Sequence, residues 1–327
     1  MNVRITGTGS ALPGKILTNR ELEQIVDTSD EWITTRTGIK ERRIAADGEY
    51  TSTFAAEAAR RALEMAGVHP EEIDLIILST VTPDFPFPST ACIVQDLLGA
   101  RNTAAFDLSA ACSGFIYGLS VAEKYIRSGA SRKILVIGSE TLSRIVDWQD
   151  RNTCVLFGDG AGAVVLEAAE SGGHSLLSTH IFSNGAYWKL LYQPGCGCRN
   201  PASDIRTVEE RLVYITMEGN EVFKHAVRSM EEAAVKALDT NALLPSDISL
   251  FIPHQANRRI IDATAKRLGF DSDRLFTNLH KYGNTSSASI PIALDEANRQ
   301  GILECGSKIL LVSFGGGFAY GSALVNW

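Results

Sequence analysis

The chain is 327 residues long, 45% hydrophobic and 21% charged, with a formal net charge of −7. That length accommodates about two ordinary domains or one large double core, and the composition is that of a globular protein. The acidic balance argues against nucleic acid as the main partner. No apolar run approaches the ~18 residues of a membrane span, and the first residues lack the basic and apolar regions of a signal peptide. A cytoplasmic protein with its six cysteines reduced is therefore expected.

Val3-Arg-Ile-Thr-Gly7-Thr-Gly9 opens the chain as a strand. Two of its glycines match a dinucleotide-binding turn. Position 12 is Leu where the third glycine belongs, however, and Pro13-Gly14 makes a turn where the phosphate-binding helix would begin, so a nicotinamide fold is not expected. A polar segment over 28–38 carries Trp32 and Arg36. The pattern then predicts a helix over 53–66, a strand over 73–78, a Pro-rich loop over 83–88 that contains Phe87, and a helix over 92–98.

Residues 103–108 read as a buried strand, and Phe115, Leu119, Ala122 and Ile126 recur at helical spacing, with Gly129 as the terminal cap. Cys112 sits at the turn between them, among Ala110, Ala111, Ser113 and Gly114. Unpaired N–H groups and the macrodipole of a helix N-terminus favour an anion, so a thiol pKa lowered toward the thiolate is expected there. The small neighbours leave room for a substrate. A cysteine taken alone is more often inert core packing, so the reading of Cys112 as a nucleophile depends on partners elsewhere. A strand over 133–138 and a hairpin-like stretch over 157–166 complete this half.

The second half repeats the first. Ala58, Ala62, Pro70, Ile73 and Leu75 match Ala233, Ala237, Pro245, Ile248 and Leu250, and Lys133-Ile-Leu135 matches Lys308-Ile-Leu310, all at one offset of 175 (245 − 70; 308 − 133). Two copies of an α/β unit are expected, over 1–174 and 175–327. Between them, 187–201 is a turn-rich connection. Its Cys196 and Cys198 lack a second ligand pair at usable spacing, so no metal site is expected.

Three further loops carry chemistry. Pro253-His254-Gln-Ala-Asn257 puts a histidine directly beyond a strand. Tyr282-Gly-Asn284-Thr-Ser puts an asparagine in a small-residue loop, where position 287 is the offset counterpart of Cys112. Ser313-Phe-Gly315-Gly-Gly-Phe318 follows a strand with its backbone open to a ligand. Each motif alone serves turns and packing as readily as function.

Together, Ala-Ala-Cys112-Ser-Gly, Pro-His254-Gln-Ala-Asn and Tyr-Gly-Asn284-Thr-Ser resemble the β-ketoacyl-acyl-carrier-protein synthase III family over essentially the whole chain. The resemblance implies a thiolase-like α/β fold, with two similar halves in a five-layered αβαβα arrangement and Cys112, His254 and Asn284 as the catalytic triad. It implies an oxyanion hole from the N–H groups of Cys112 and Gly316, and a coenzyme A channel lined by Trp32, Arg36, Arg151, Gly219 and Asn220. It assigns carrier-protein docking to Gln255, Ala256, Asn257, Arg258 and Arg259, to which Lys266 adds charge on the same helical face. Phe87 would reach across a homodimer into the partner's acyl pocket.

The activity so implied is decarboxylative condensation of acetyl-coenzyme A, or another short acyl-coenzyme A, with malonyl-acyl carrier protein, with no tightly bound cofactor. It would initiate type II fatty acid synthesis. A specialised relative acting in polyketide, quinolone or long-chain lipid synthesis would carry the same catalytic motifs.

Overall fold

The computed structural model describes residues 2–169 and 174–327. Two sheets carry the architecture. The first contains β1 (Asn2–Ala11), β2 (Leu75–Ser79), β3 (Ala104–Leu108), β4 (Lys133–Glu140) and β5 (Gly160–Ala169), in the order β1-β5-β4-β2-β3. The second contains β6 (Ser175–Ser183), β7 (Leu250–Pro253), β8 (Lys308–Gly315) and β9 (Ala319–Asn326), in the order β7-β8-β9-β6. In the first sheet β1–β5 and β5–β4 are antiparallel while β4–β2 and β2–β3 are parallel; in the second β6–β9 and β9–β8 are antiparallel and β8–β7, the counterpart of β4–β2, is parallel.

Helices α1 (Asp30–Thr37), α2 (Thr51–Ala66), α3 (Thr90–Leu98), α4 (Gly114–Arg127), α5 (Gly219–Thr240), α6 (Arg258–Leu268) and α7 (Ser289–Arg299) fill the remaining space. Strand residues alternate between faces, and the layers follow from that alternation. Ile76, Leu78, Leu135 and Ile137 pack outward against α2 and α3. Leu75, Ile77, Ile134 and Val136 face inward, where they meet α4, α7 and the inner face of the second sheet through Ile252, Ile309 and Leu311. Phe251, Leu310 and Val312 point the other way, onto α5 and α6. The stack is α2/α3, sheet, α4/α7, sheet, α5/α6. A fourth core, including Ile33, Leu142, Val146 and Cys154, seats α1 beside this stack.

The sequence repeat has a backbone counterpart. A 3₁₀ turn at Ala111–Ser113 leads into α4 at Gly114, and one at Ser286–Ala288 leads into α7 at Ser289, so both turn and helix start recur 175 residues on (286 − 111; 289 − 114). The residue opening each turn takes the left-handed backbone, with φ 47° at Ala111 and 50° at Ser286. That conformation is uncommon for a residue with a Cβ.

Several local expectations are corrected. Residues 104–108 form an edge strand that is half-exposed rather than buried, because the strand is the last in its sheet and pairs on one side only among the described residues. Residues 157–166 are not a hairpin; β5 is one continuous strand between β1 and β4. Gly7 and Gly9 serve strand–helix packing, since a Cβ at either would lie 2.1 Å from Ala62 O or 2.2 Å from Ala58 O on α2.

Candidate active site

Cys112, His254 and Asn284 line one cavity of about 470 Å³, at the end of the inner layers where the two halves meet. Each comes from a different connection. Cys112 stands at the turn into α4, His254 directly after β7, and Asn284 ahead of the matching turn into α7. Sequence distance between these loops is large, and the pseudo-symmetric stacking of the sheets closes it.

The first-half turn is held from the second half. Gly315, the last residue of β8, lies so close that a Cβ there would be 2.6 Å from Cys112 N and 3.0 Å from Cys112 Cβ. Ser113 Oγ donates to Ala319 O over 2.8 Å. The second-half turn is held from the first: Ser287 Oγ lies 3.0 Å from Glu140 Oε1 and 2.9 Å from Ser79 O, its one proton shared between the two acceptors. Glu140 is fully buried, and its other oxygen accepts from Thr80 Oγ1, Val81 N and Thr82 Oγ1 at 2.7–3.1 Å.

The two polar side chains are pinned so that their remaining nitrogens are free for the cavity. Asn284 Oδ1 accepts from Ser286 N over 2.8 Å, which commits the oxygen and leaves the amide NH₂ as a donor. His254 Nδ1 lies 2.6 Å from Ser289 Oγ, which leaves Nε2. The backbone of His254 is fixed by its N–H to Val312 O at 2.8 Å. Burial drives the imidazole down to about 3, so it is neutral at physiological pH.

The charge state of Cys112 differs from the sequence expectation. Burial pushes its thiol up to about 12; contact with the Ser286 hydroxyl opposes this, while the nearby Glu140 adds to it. The sulfur opens onto the cavity but is otherwise enclosed by protein, and the desolvation of a thiolate there outweighs the turn's N–H groups. The resting pair is thus thiol and neutral imidazole.

At the mouth, Ser29 caps α1 by accepting from Trp32 N over 3.1 Å. Arg36, one turn on, lies over the Trp32 ring at 5.0 Å, and Arg151, from the short helix Arg151–Cys154, lies over it at 4.9 Å. Trp32, Arg36, Gly219 and Asn220 line the cavity. Arg151 borders it through Trp32 and donates to Asp27 O over 3.0 Å. Gly316 lies against Leu191 and Ala111 beside the Cys112 turn.

The 255–259 segment divides. Gln255 is buried, with Nε2 donating to Pro253 O at 2.6 Å and Oε1 accepting from Asn278 N at 3.1 Å, so its side chain is unavailable for docking. Ala256 and Asn257 line the cavity, Asn257 also capping α6 through Arg259 N at 2.9 Å. Arg258 and Arg259 are exposed; Arg258 pairs with Asp262 at 2.7 Å and Arg259 lies over Phe223 at 5.5 Å. Phe87 is 84% exposed and takes no part in this chain's own cavity.

Sequence reasoning missed several contributors. Leu191 and Met217, in a two-strand pairing within the connection between the halves, line the cavity. Ser286 holds Asn284, Ser289 meets His254, and Glu140 holds Ser287 in the second-half turn. The repeat offset pointed to position 287, two or fewer residues from both serines, and that was the available signal. Among the described residues no cluster of His, Cys, Asp or Glu is arranged to hold a metal, Cys196 and Cys198 are exposed thiols, and no helix is long and apolar enough to cross a membrane.

Comparison with known proteins shows the family. The 3-oxoacyl-[acyl-carrier-protein] synthase III profile matches residues 106–185, and its C-terminal counterpart matches 238–327. The β-ketoacyl-[acyl-carrier-protein] synthase III of Caldanaerobacter subterraneus subsp. tengcongensis is 57% identical over 99% of this chain and 97% of its own. The crystal structure of 3-oxoacyl-[acyl-carrier-protein] synthase III from Aquifex aeolicus superposes with a TM-score of 0.92 at 51% identity, covering 99% of this chain and 100% of that one. The priming β-ketosynthase of the R1128 polyketide pathway also reaches 0.92, at 38% identity over 99% and 96%. With the duplicated thiolase-like layers and the cysteine, histidine and asparagine in one cavity, the chain belongs to the β-ketoacyl-[acyl-carrier-protein] synthase III family.

Proposed function

We propose that this protein condenses a short acyl-coenzyme A, acetyl-coenzyme A first among them, with malonyl-acyl carrier protein, releasing carbon dioxide and coenzyme A and starting type II fatty acid synthesis in the cytoplasm. The observation that carries the proposal is the cavity itself: one thiol faces the uncommitted NH₂ of Asn284 and the Nε2 of His254, whose other polar atoms are already engaged.

The thioester enters past Trp32, Arg36 and Arg151, whose ring and guanidiniums suit adenine and phosphate. Cys112 Sγ bonds to the acyl carbon, the bond to the coenzyme A sulfur breaks, and the thiol proton leaves with that sulfur. The N–H groups of Cys112 and Gly316 are assigned to the tetrahedral oxyanion. Malonyl-carrier protein then docks on the exposed cations Arg258, Arg259 and Lys266, which suit an acidic carrier despite the chain's own negative charge.

Loss of carbon dioxide supplies the carbanion, so no strong base is needed. The enolate oxygen takes hydrogen bonds from His254 Nε2 and the Asn284 amide, the enolate carbon bonds to the acyl carbon as the bond to Cys112 Sγ breaks, and the departing thiolate takes a proton from water. A neutral imidazole suits this role, since it donates without having to lose a charge-stabilising proton. The unpaired, half-exposed edge of β3 and the exposed Phe87 favour a homodimer in which Phe87 closes the partner's acyl pocket. The 57% identity, over 99% of the chain, to a protein named β-ketoacyl-[acyl-carrier-protein] synthase III supports the fatty acid pathway.

The test is release of labelled carbon dioxide from malonyl-carrier protein by the acetylated enzyme. Release that requires both His254 and Asn284 supports the proposal, and unchanged release by His254→Ala contradicts it.

A further inference from the structure

We infer that Ser289 is the positioning residue that fixes the tautomer of His254, its hydroxyl donating to Nδ1 so that the imidazole proton stays on Nε2, facing the cavity. The inference rests on reading His254 as a hydrogen-bond donor to the enolate. It adds where the donor's proton is decided.

The hydrogen-bond directions follow from counting protons. Ser289 is the first residue of α7, 2% exposed, with Oγ 2.6 Å from His254 Nδ1. The backbone N–H of Gln255 points at the same oxygen from 3.4 Å. A backbone N–H can only donate, so it takes one lone pair of Oγ. If Nδ1 also donated, the hydroxyl proton would be left buried with no acceptor, because Ser289 Oγ makes no other hydrogen bond among the described residues. If Nδ1 accepts, the run from Gln255 N–H to Ser289 O–H to Nδ1 is satisfied throughout. A helical serine ordinarily turns its hydroxyl back onto its own helix's carbonyls; this one is spent on the imidazole.

The source of the N–H is itself rigid. Gln255 is buried with both ends of its amide engaged, and His254 N is bonded to Val312 O, so neither backbone group can swing away. Burial also keeps the ring neutral, which means a single proton is shared between two nitrogens and its placement matters. On Nδ1 it would leave Nε2 presenting a lone pair to the enolate oxygen, a repulsive contact in place of a donor.

The duplication gives independent support. The offset counterpart of Ser289 is Gly114, at the start of α4, where a Cβ would come 1.5 Å from Ser79 Oγ. The first copy has no room for any side chain at this position. The second copy has room, and the side chain it carries is a hydroxyl that meets the catalytic histidine.

Imidazole ¹⁵N NMR of the intact enzyme labelled at histidine, with His254 assigned from its absence in His254→Ala, tests the inference directly. Near neutral pH the parent should show His254 protonated at Nε2 and bare at Nδ1. Ser289→Ala should show mixed tautomers, with malonyl-carrier-protein decarboxylation down roughly 10-fold or more while acetylation of Cys112 stays within about twofold, and Ser289→Thr should restore both. A parent spectrum with the proton on Nδ1 overturns the inference without any variant. So does a Ser289→Ala protein that keeps a single Nε2–H tautomer and the parental decarboxylation rate. Failure of the underlying reading is a separate result: His254→Ala would then decarboxylate at the parental rate whatever the tautomer.

Discussion

Gly315 and Cys112 are packed backbone to backbone, and a single methyl group on Gly315 would sit 2.6 Å from the nitrogen of Cys112. Neither partner can yield easily. Gly315 is registered to Ala319 in the β8–β9 ladder, and Cys112 lies in a tight turn behind the left-handed Ala111. Gly315→Ala should therefore displace the sulfur. A misplacement near 1 Å costs about 100-fold, and the overpacking should cost about 1–3 kcal/mol. Acetyl transfer from acetyl-coenzyme A and the thermal midpoint, measured on the same preparation, check both.

Asn284→Asp keeps the shape of the side chain and an oxygen for Ser286 N–H, but replaces the donor NH₂ with a charged acceptor. Removing one oxyanion donor costs roughly 100- to 1,000-fold, so carbon dioxide release should fall by at least that factor. Acetylation of Cys112 should fall far less. Single-turnover assays of the two half-reactions separate these effects, and equal losses in both would contradict the division of roles.

Stability should decline toward both acid and alkali for identifiable reasons. In the unfolded chain His254 takes up its proton near 6.5, whereas in the fold it does so only near 3. Between those values the unfolded state binds the additional proton, so stability falls as pH drops through the window. Cys112 works at the other end. It loses its proton near 9.0 when unfolded and near 12 when folded, so stability falls as pH rises between them. Thermal midpoints across pH should show a shallower acid limb for His254→Ala and a shallower alkaline limb for Cys112→Ser.

Glu140 binds four donors while fully buried, and one of them, Ser287, is the offset counterpart of Cys112. Glu140→Ala strands those donors, each worth about 1–3 kcal/mol when left unpaired. The thermal midpoint should drop well below that of a surface control such as Glu57→Ala, whose partners Arg60 and Arg61 are exposed.

Phe87→Ala tests the dimer and the primer limit together. If Phe87 closes the partner's acyl pocket, its removal should raise octanoyl relative to acetyl transfer onto Cys112 by roughly 10-fold or more. The parent should lose activity on dilution to monomer. A fully active monomer would contradict this assignment.

The sequence made the frame legible because the repeat holds one register, so Lys133 and Lys308 start matching strands and Pro70 and Pro245 start matching turns. Cys112 and Asn284 stood out in small-residue loops and His254 directly beyond a predicted strand, and the three motifs together carried the family resemblance. What stayed hidden depends on neighbours distant in the chain. Burial, which no local pattern reports, raised the Cys112 thiol against the expected helix effect and removed Gln255 from the surface. The half-exposed character of 104–108 follows from its place at the sheet edge, since an apolar run reads alike at edge and centre. Nothing in the local sequence sets Ser286 and Ser289 apart; the fold places them beside Asn284 and His254.

Peptide mass mapping after incubation with acetyl-coenzyme A alone tests the central claim most directly. The acetyl group is expected on the peptide containing Cys112 in the parent and in His254→Ala, with none on Cys112→Ser. An acetyl group on Cys154 or any other residue, or none on the parent, would contradict the account.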